Sequence, residues 1–252
     1  MRYAFAGDRQ ISLNLLNFLI SKGFSPLALF VSSENVASHD KDLIAVSGLP
    51  NDLIFVGNET KTEACYTKLK ALELDYIFGI HFPYIISEKL LNLPKIGFLN
   101  LHPAYLPYNK GWNTPTWAII DKTPYGATLH FMSEKLDEGD IIHQKQIEIT
   151  TLDTANTLYQ KVLKLEEEVF CEAFDSLVAL NPNRTKQLSL GTSHNKKDLS
   201  SVNKLDCNET VKTIDLIDKI RALTTSNSNE SAYIEIDGKR IGLQIVLKER
   251  IE

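Results

Sequence analysis

A chain of 252 residues that is 43% hydrophobic and 23% charged can bury a substantial core, as one large domain or a domain with an appendage. Its net charge of −5, with no long basic run, argues against extended contact with a nucleic-acid backbone. Its three cysteines (Cys65, Cys171, Cys207) are too scattered for a disulfide framework or a zinc knuckle, and no stretch reaches the roughly 18 apolar residues of a membrane span. The apolar start gives way to Gly7-Asp8-Arg9, too early for a signal peptide, so a cytoplasmic protein with reduced thiols is expected.

In chain order, residues 3–6 read as a strand and 11–20 as a helix with Ile11, Leu15, Phe18 and Leu19 as its apolar residues. A strand at 27–31, a helical turn or two around 40–45, a strand at 53–56, a helix at 60–72 and a strand at 76–80 follow. Ser87 opens a short helix over 87–91 before Pro94, and 96–100 is the next strand. Strand–helix alternation at this spacing predicts an α/β fold, a Rossmann-like and mostly parallel sheet covered on both faces.

Beyond that strand come a polar loop at 108–113, a short helix at 115–121, strands near 127–132 and 141–149, and a long helix over 154–180. That helix would pack across the sheet or form an oligomer face. From about residue 182 the composition changes: 191–202 reads as a polar loop, 210–222 as an amphipathic helix, and 232–236 with 241–247 as a hairpin. Asp237-Gly238 supplies the positive φ of a type I′ turn. The expected division is therefore a core over 1–182 and a linker with a small helix and β-hairpin appendage over 183–252.

The chemistry concentrates around Asn100-Leu101-His102-Pro103 and Leu136-Asp137-Glu138-Gly139. Asn100 and His102, two apart on an extended strand, point to the same side, and Pro103 ends regular pairing just after them. An amide donor, an imidazole base and an orienting carboxylate suit attack of an amine on a carbonyl. A His and an Asn that merely satisfy backbone groups at a strand end are the plain alternative. Gly7-Asp8-Arg9 opens the first helix, where free N–H groups and Arg9 would suit a phosphate or serve only as a charged loop. The connection 78–86 is unusually apolar, and the loop 105–117 next to His102 holds both tryptophans, Trp112 and Trp117, a pair that suggests a ring-stacking or sugar-contacting surface although a lone Trp is usually core. With no Gly-x-Gly-x-x-Gly, a dinucleotide cofactor is not supported.

Asn100-x-His102-Pro103 with Leu106-Pro107, Gly111 and Leu136-Asp137-x-Gly139 resembles the formyltransferases that use N10-formyltetrahydrofolate. That family includes the glycinamide ribonucleotide, methionyl-tRNA and sugar N-formyltransferases. The resemblance implies a formyltransferase core with Asn100, His102 and Asp137 as its catalytic triad. It implies Phe82, Pro83, Tyr84, Ile85, Ser133 and Leu136 beside the folate, largely through backbone groups. Gly7, Asp8 and Arg9 would meet a pyrophosphate and His81 would face the acceptor. Tyr105, Lys110, Trp112, Asn113, Thr114 and Trp117 lie in a pattern that looks like the sugar N-formyltransferases acting on dTDP-linked amino-dideoxysugars. The group acting on dTDP-4-amino-4,6-dideoxyglucose, for O-antigen or other surface polysaccharide, is the implied match.

A homodimer is expected from the long helix and the apolar hairpin; neither nucleic acid nor membrane is an expected partner. No metal is expected either, since Asn is a poor ligand and no His-x-x-x-His or Cys-x-x-Cys occurs. His39, His130, His143 and His194 read as structural or surface residues. Methionyl-tRNA formylation is a competing reading, opposed by the acidic charge and the short C-terminal part. Thr224-Thr225-Ser226-Asn227-Ser228-Asn229 also lacks the Pro-Gly of many tRNA-acting relatives. A non-catalytic nucleotide-sugar or folate-binding module is a third reading, which has no need of all three triad residues.

Overall fold

The computed structural model describes residues 1–188 and 190–250. The first half alternates strand and helix: β1 (Tyr3–Gly7), α1 (Gln10–Ser21), β2 (Ala28–Val31), α2 (Asp40–Ser47), β3 (Ile54–Val56), α3 (Glu63–Ala71), β4 (Tyr76–Ile80), α4 (Glu88–Leu91) and β5 (Gly97–His102). Then come β6 (Lys110–Gly111), α5 (Thr114–Ile120), β7 (Tyr125–Phe131), β8 (Ile141–Ile147), α6 (Ala155–Val178) and β9 (Ser193–His194). The chain continues through α7 (Thr213–Ala222), β10 (Ala232–Ile236) and β11 (Lys239–Leu243).

Seven strands form one sheet in the order β3-β2-β1-β4-β5-β7-β8. The pairs β1–β2, β2–β3, β1–β4 and β4–β5 are parallel, whereas β7 runs antiparallel to β5. Every residue of β1, β2 and β4 is buried, which is why these strands read as unbroken apolar runs rather than alternating ones. The fold is thus the α/β, mostly parallel, Rossmann-like sheet expected, with a small antiparallel hairpin near the C-terminal end.

The chain divides into two compact units by its internal contacts. The first comprises Met1–His102, Thr128–Gln144 and Glu166–Gln187; the second comprises Pro103–Ala127, Lys145–Leu165 and Leu188–Glu252. This differs from a single cut between residues 182 and 183. The physical reason is that the late segments hydrogen-bond to earlier ones. β6 pairs with β9, Arg221 donates to the carbonyls of Thr150 and Asp153, and Asn156 N–H donates to Thr224 O.

In the first unit, Ala4, Ala6, Phe30, Phe55, Leu69, Ile77 and Phe98 share one core cluster. On α6, Phe170 meets Phe78 of β4 edge-on at 5.4 Å, and Phe174 meets Phe18 at 5.1 Å. Each buried ring contributes about 1.5–3 kcal/mol, so this part of α6 is a layer on the sheet. In the second unit, Leu199, Leu205, Leu223 and Ala232 form a smaller cluster, against which Leu216, Ile220, Ile234 and Leu243 pack.

Several elements depart from the sequence reading. The helix expected over 60–72 is a 3-10 turn, Gly57–Lys61, followed by α3, because Thr62 Oγ1 accepts from Cys65 N–H and starts the helix there. The loops expected at 108–113 and 191–202 carry β6 and β9, and the second also holds a 3-10 segment, Lys196–Ser201. α7 starts at Thr213 rather than 210. β11 begins at Lys239 rather than 241, since Ile236 pairs with Lys239 across Asp237 (φ 51°) and Gly238 (φ 73°), the type I′ geometry expected.

Candidate active site

Two strands build the site by alternation. The β5–β7 register sets Asn100 opposite His130, Leu101 opposite Leu129, and His102 opposite Thr128. Leu99, Leu101, Leu129 and Phe131 take one face and join the core. Asn100, His102, Thr128 and His130 share the other, a polar face.

On that face Asn100 Nδ2 lies 3.3 Å from His130 Nε2. His102 Nε2 is 3.6 Å from Asp137 Oδ2, and His130 Nε2 is 3.6 Å from Asp137 Oδ1. The side chains of His102, Asp137 and His130 are 8%, 6% and 1% exposed, so electrostatic interactions at this site are little screened by water. The two imidazoles stand edge to face, centroids 6.3 Å apart.

The tautomer of His130 follows from its neighbours. Nδ1 lies 2.8 Å from the carbonyl of Phe131, which can only accept, so Nδ1 carries the hydrogen. Nε2 then offers a lone pair and accepts from the amide of Asn100. Burial pushes the His130 pKa down to about 4; the Asp137 carboxylate opposes this and His102 reinforces it. His130 is therefore neutral near pH 7. Its role was missed in the sequence, where it reads as structural; only the antiparallel register, invisible in one chain, sets it against Asn100.

Asp137 sits at φ 54° in the turn between β7 and β8. Phe131 N–H donates to Asp140 O at 2.9 Å, closing the turn. Gly139 has no room for a side chain, because a Cβ there would stand 1.8 Å from Phe131 O.

The other candidates lie as follows. Phe82 is half-buried, with its ring 5.1 Å from that of Tyr84. The Tyr84 hydroxyl accepts from Ser33 N–H at 3.0 Å and shares a hydrogen bond with Ser33 Oγ at 2.9 Å. Pro83 and Ser133 are exposed, and Ile85 and Leu136 are 81% and 59% exposed, large apolar groups facing solvent.

Gly7 is required by packing, since a Cβ there would meet Ser12 Cβ at 2.6 Å. Asp8 is buried and its Oδ1 accepts from Ser38 N–H at 2.8 Å, so a carboxylate already stands beside the start of α1. Arg9, 62% exposed, lies 3.8 Å from that carboxylate. His81 (φ 52°) does not present a free Nε2: that atom is 3.0 Å from both carboxylate oxygens of the buried Glu166. Burial pushes its pKa down, but the charge and hydrogen bond of Glu166 outweigh this and hold it above the ordinary value.

In the second unit the paired-tryptophan reading needs correction. Trp117 is 4% exposed and stacks on His194 at 3.7 Å, because α5 turns it inward. Trp112, 51% exposed, alone offers a ring to solvent, with Lys196 Nζ 5.4 Å from its centroid. Asn113 (φ 53°) donates to Glu230 and Thr114 donates to Pro103 O, while Lys110 is buried on β6 and Tyr105 half-buried. Among the described residues no group of three or more His, Cys, Asp or Glu is placed to hold a metal. No described helix is long and apolar enough to cross a membrane.

Residues 198–249 match the N-formyltransferase dimerization C-terminal domain. A Mycobacterium tuberculosis protein described as dTDP-4-amino-4,6-dideoxyglucose formyltransferase is 29% identical over 150 residues, 60% of this chain and 64% of its own length. The aligned part thus spans less than two thirds of that relative. A methionyl-tRNA formyltransferase of Lachnospira eligens is 25% identical over 248 residues, covering 96% of this chain and 77% of its own. The crystal structure of a 4-N formyltransferase from Francisella tularensis shares the fold with a TM-score of 0.85 and 25% identity, over 99% of this chain and 98% of that one. Residues 22–174, which include Asn100, His102, His130 and Asp137, match Formyl transferase, and the chain belongs to that family.

Proposed function

We propose that this protein transfers the formyl group of N10-formyltetrahydrofolate to the amine of a dTDP-linked amino-dideoxysugar, with dTDP-4-amino-4,6-dideoxyglucose as the first acceptor to test. The observation that carries the reaction type is the convergence of Asn100, His102 and Asp137 on one buried polar site, within a family of formyl transferases. The acceptor rests on the mycobacterial relative's name and on the 4-N description of the Francisella structure, which favours an amine at C4.

In this reading the neutral sugar amine attacks the formyl carbon. One Asn100 N–H is held by His130, and the other donates to the developing oxyanion, a contact worth about 3–4 kcal/mol in the transition state. His102 takes the amine proton, with Asp137 orienting its ring. The new C–N bond forms as the bond from the formyl carbon to the folate nitrogen breaks, and that nitrogen receives the proton with help from Asp137. Exposed Ile85 and Leu136 would give a pterin apolar walls. With Trp117 buried and Tyr84 engaged with Ser33, neither offers a free contact.

A homodimer belongs to the proposal. It is supported by the dimerization-domain match at 198–249 and by exposed Ile214, Ile236 and Ile241. A cytoplasmic enzyme feeding O-antigen or other surface polysaccharide synthesis completes it.

The alignment across 96% of this chain with a methionyl-tRNA formyltransferase favours a second reading, formylation of initiator tRNA. One experiment separates them: turnover of formyltetrahydrofolate against dTDP- and UDP-amino sugars and methionyl-tRNA, with product masses. A formylated dTDP-4-amino sugar is the expected product. Formylated methionyl-tRNA alone would establish the second reading, and no product from any acceptor would leave a binding module.

A further inference from the structure

We propose that Gln187 is the positioning residue for Asp137, holding the catalytic turn through the carbonyls of Asp137 and Gly139. The inference rests on the formyl-transfer reading of Asp137 given above. The turn from β7 to β8 is conformationally costly by itself. Asp137 occupies the left-handed region at φ 54°, which side-chain-bearing residues rarely adopt, and Gly139 is pressed against Phe131 O. Such a turn persists only where its surroundings fix it.

Gln187 supplies that fixing. Its Nε2 donates to Asp137 O at 2.9 Å and to Gly139 O at 2.8 Å, one amide group spending both hydrogens on carbonyls two residues apart. The segment bearing Gln187 is itself pinned. Thr185 and Ile141 exchange backbone hydrogen bonds of 2.8 and 2.9 Å. Arg184 donates to Ile96 O at 2.8 Å, and its guanidinium lies 3.5 Å over the ring of Phe131. Gln187 Oε1 is buried with no partner among the described residues. An apolar side chain would avoid that cost, so the amide's value lies in its donors. Gln187 acts through Asp137, by keeping that carboxylate within reach of His102.

The test compares the full-length wild type with Gln187→Met, which keeps the bulk without donors, and Gln187→Glu, which keeps the shape and donates only when protonated. Two readouts are taken: kcat and KM for formyl transfer, and the pH titration of the Asp137 carboxyl carbon by NMR, with Asp153 as the internal reference. The expected result for Gln187→Met is a kcat at least tenfold lower at KM within twofold, with the Asp137 titration displaced and that of Asp153 unmoved. Gln187→Glu should regain part of its kcat as pH falls. An Asp137 signal that titrates as in the wild type, or a kcat within twofold of it, would overturn the proposal. If the wild type formylates no acceptor, the functional reading fails, while the carbon titration still decides the role of Gln187. Should Gln187→Met not fold, Gln187→Glu carries both readouts.

Discussion

His130 Nε2 accepts from the amide of Asn100 across the antiparallel pair of β5 and β7, at 3.3 Å, while its Nδ1–H is committed to Phe131 O. This fixes which way the amide faces. Replacing His130 with Ala should free Asn100 to rotate and lower kcat by about 10- to 100-fold, less than outright loss of an oxyanion donor. Steady-state kinetics at saturating formyl donor make the measurement. A His130→Ala enzyme within threefold of wild type would mean that Asn100 needs no such partner.

Removing the donor itself should cost more. Asn100→Ala is expected to lose about 10²–10³ in kcat, and His102→Ala about 10²–10⁴ through loss of the base. Because His102 lies buried beside Asp137 and Asn100 is bonded to His130, turnover is compared on variants whose thermal melts show a folded protein. Near-normal turnover by either variant would remove that residue from the mechanism.

His130 and His81 should respond to pH in opposite senses. Folded His130 stays neutral down to about pH 4, whereas the unfolded chain takes up the proton near the ordinary imidazole value of 6.5. Between those values the unfolded state binds more protons, so stability is full above 6.5 and falls as pH drops toward 4, by on the order of 3 kcal/mol. Denaturation curves at pH 7.5 and 4.5 should show wild type losing more stability than His130→Gln; parallel losses would refute this.

His81 behaves the other way, its pKa being raised by Glu166 against the effect of burial. Its stabilisation is present below its unfolded pKa and is lost as pH rises through the folded one. The stability penalty of His81→Asn should thus be larger at pH 6 than at pH 9. A penalty that grows with pH would show that the Glu166 pair does not hold His81 protonated.

If the C-terminal segment forms the dimer, sedimentation should find two copies of the chain in solution. Ile214→Glu with Ile241→Glu, both at exposed positions, should then yield monomers with the fold intact. Persistence of the dimer would place its interface elsewhere.

Strands β1, β2 and β4 were legible because they are buried on both faces and so read as continuous apolar runs, and the hairpin because Asp237-Gly238 admits only a narrow set of turns. Asn100, His102 and Asp137 stand out in the sequence because their residue types and motif spacing narrow the chemistry, and the structure joins them with His130 through contacts of 3.3 to 3.6 Å. His130 was not, since a histidine inside an apolar strand looks like filler until the register sets it against Asn100. Gln187 was equally hidden: nothing local marks a glutamine whose partners lie 48 and 50 residues away. Trp117 misled for a related reason, because sequence proximity to a polar loop does not say which side of α5 faces inward.

The opposed alternation of β5 and β7 makes length, not only composition, a constraint on this chain. Conservative exchanges among Leu99, Leu101 and Leu129 alter packing by fractions of the core's contribution. Deleting one residue between Gly97 and Asn100 would reverse the facing of Asn100 and His102 relative to the upstream pairing, sending both into the apolar layer and Leu101 into the polar site. Tolerance to insertion and deletion should therefore drop to nothing across these few positions, while substitution tolerance stays ordinary at their apolar neighbours.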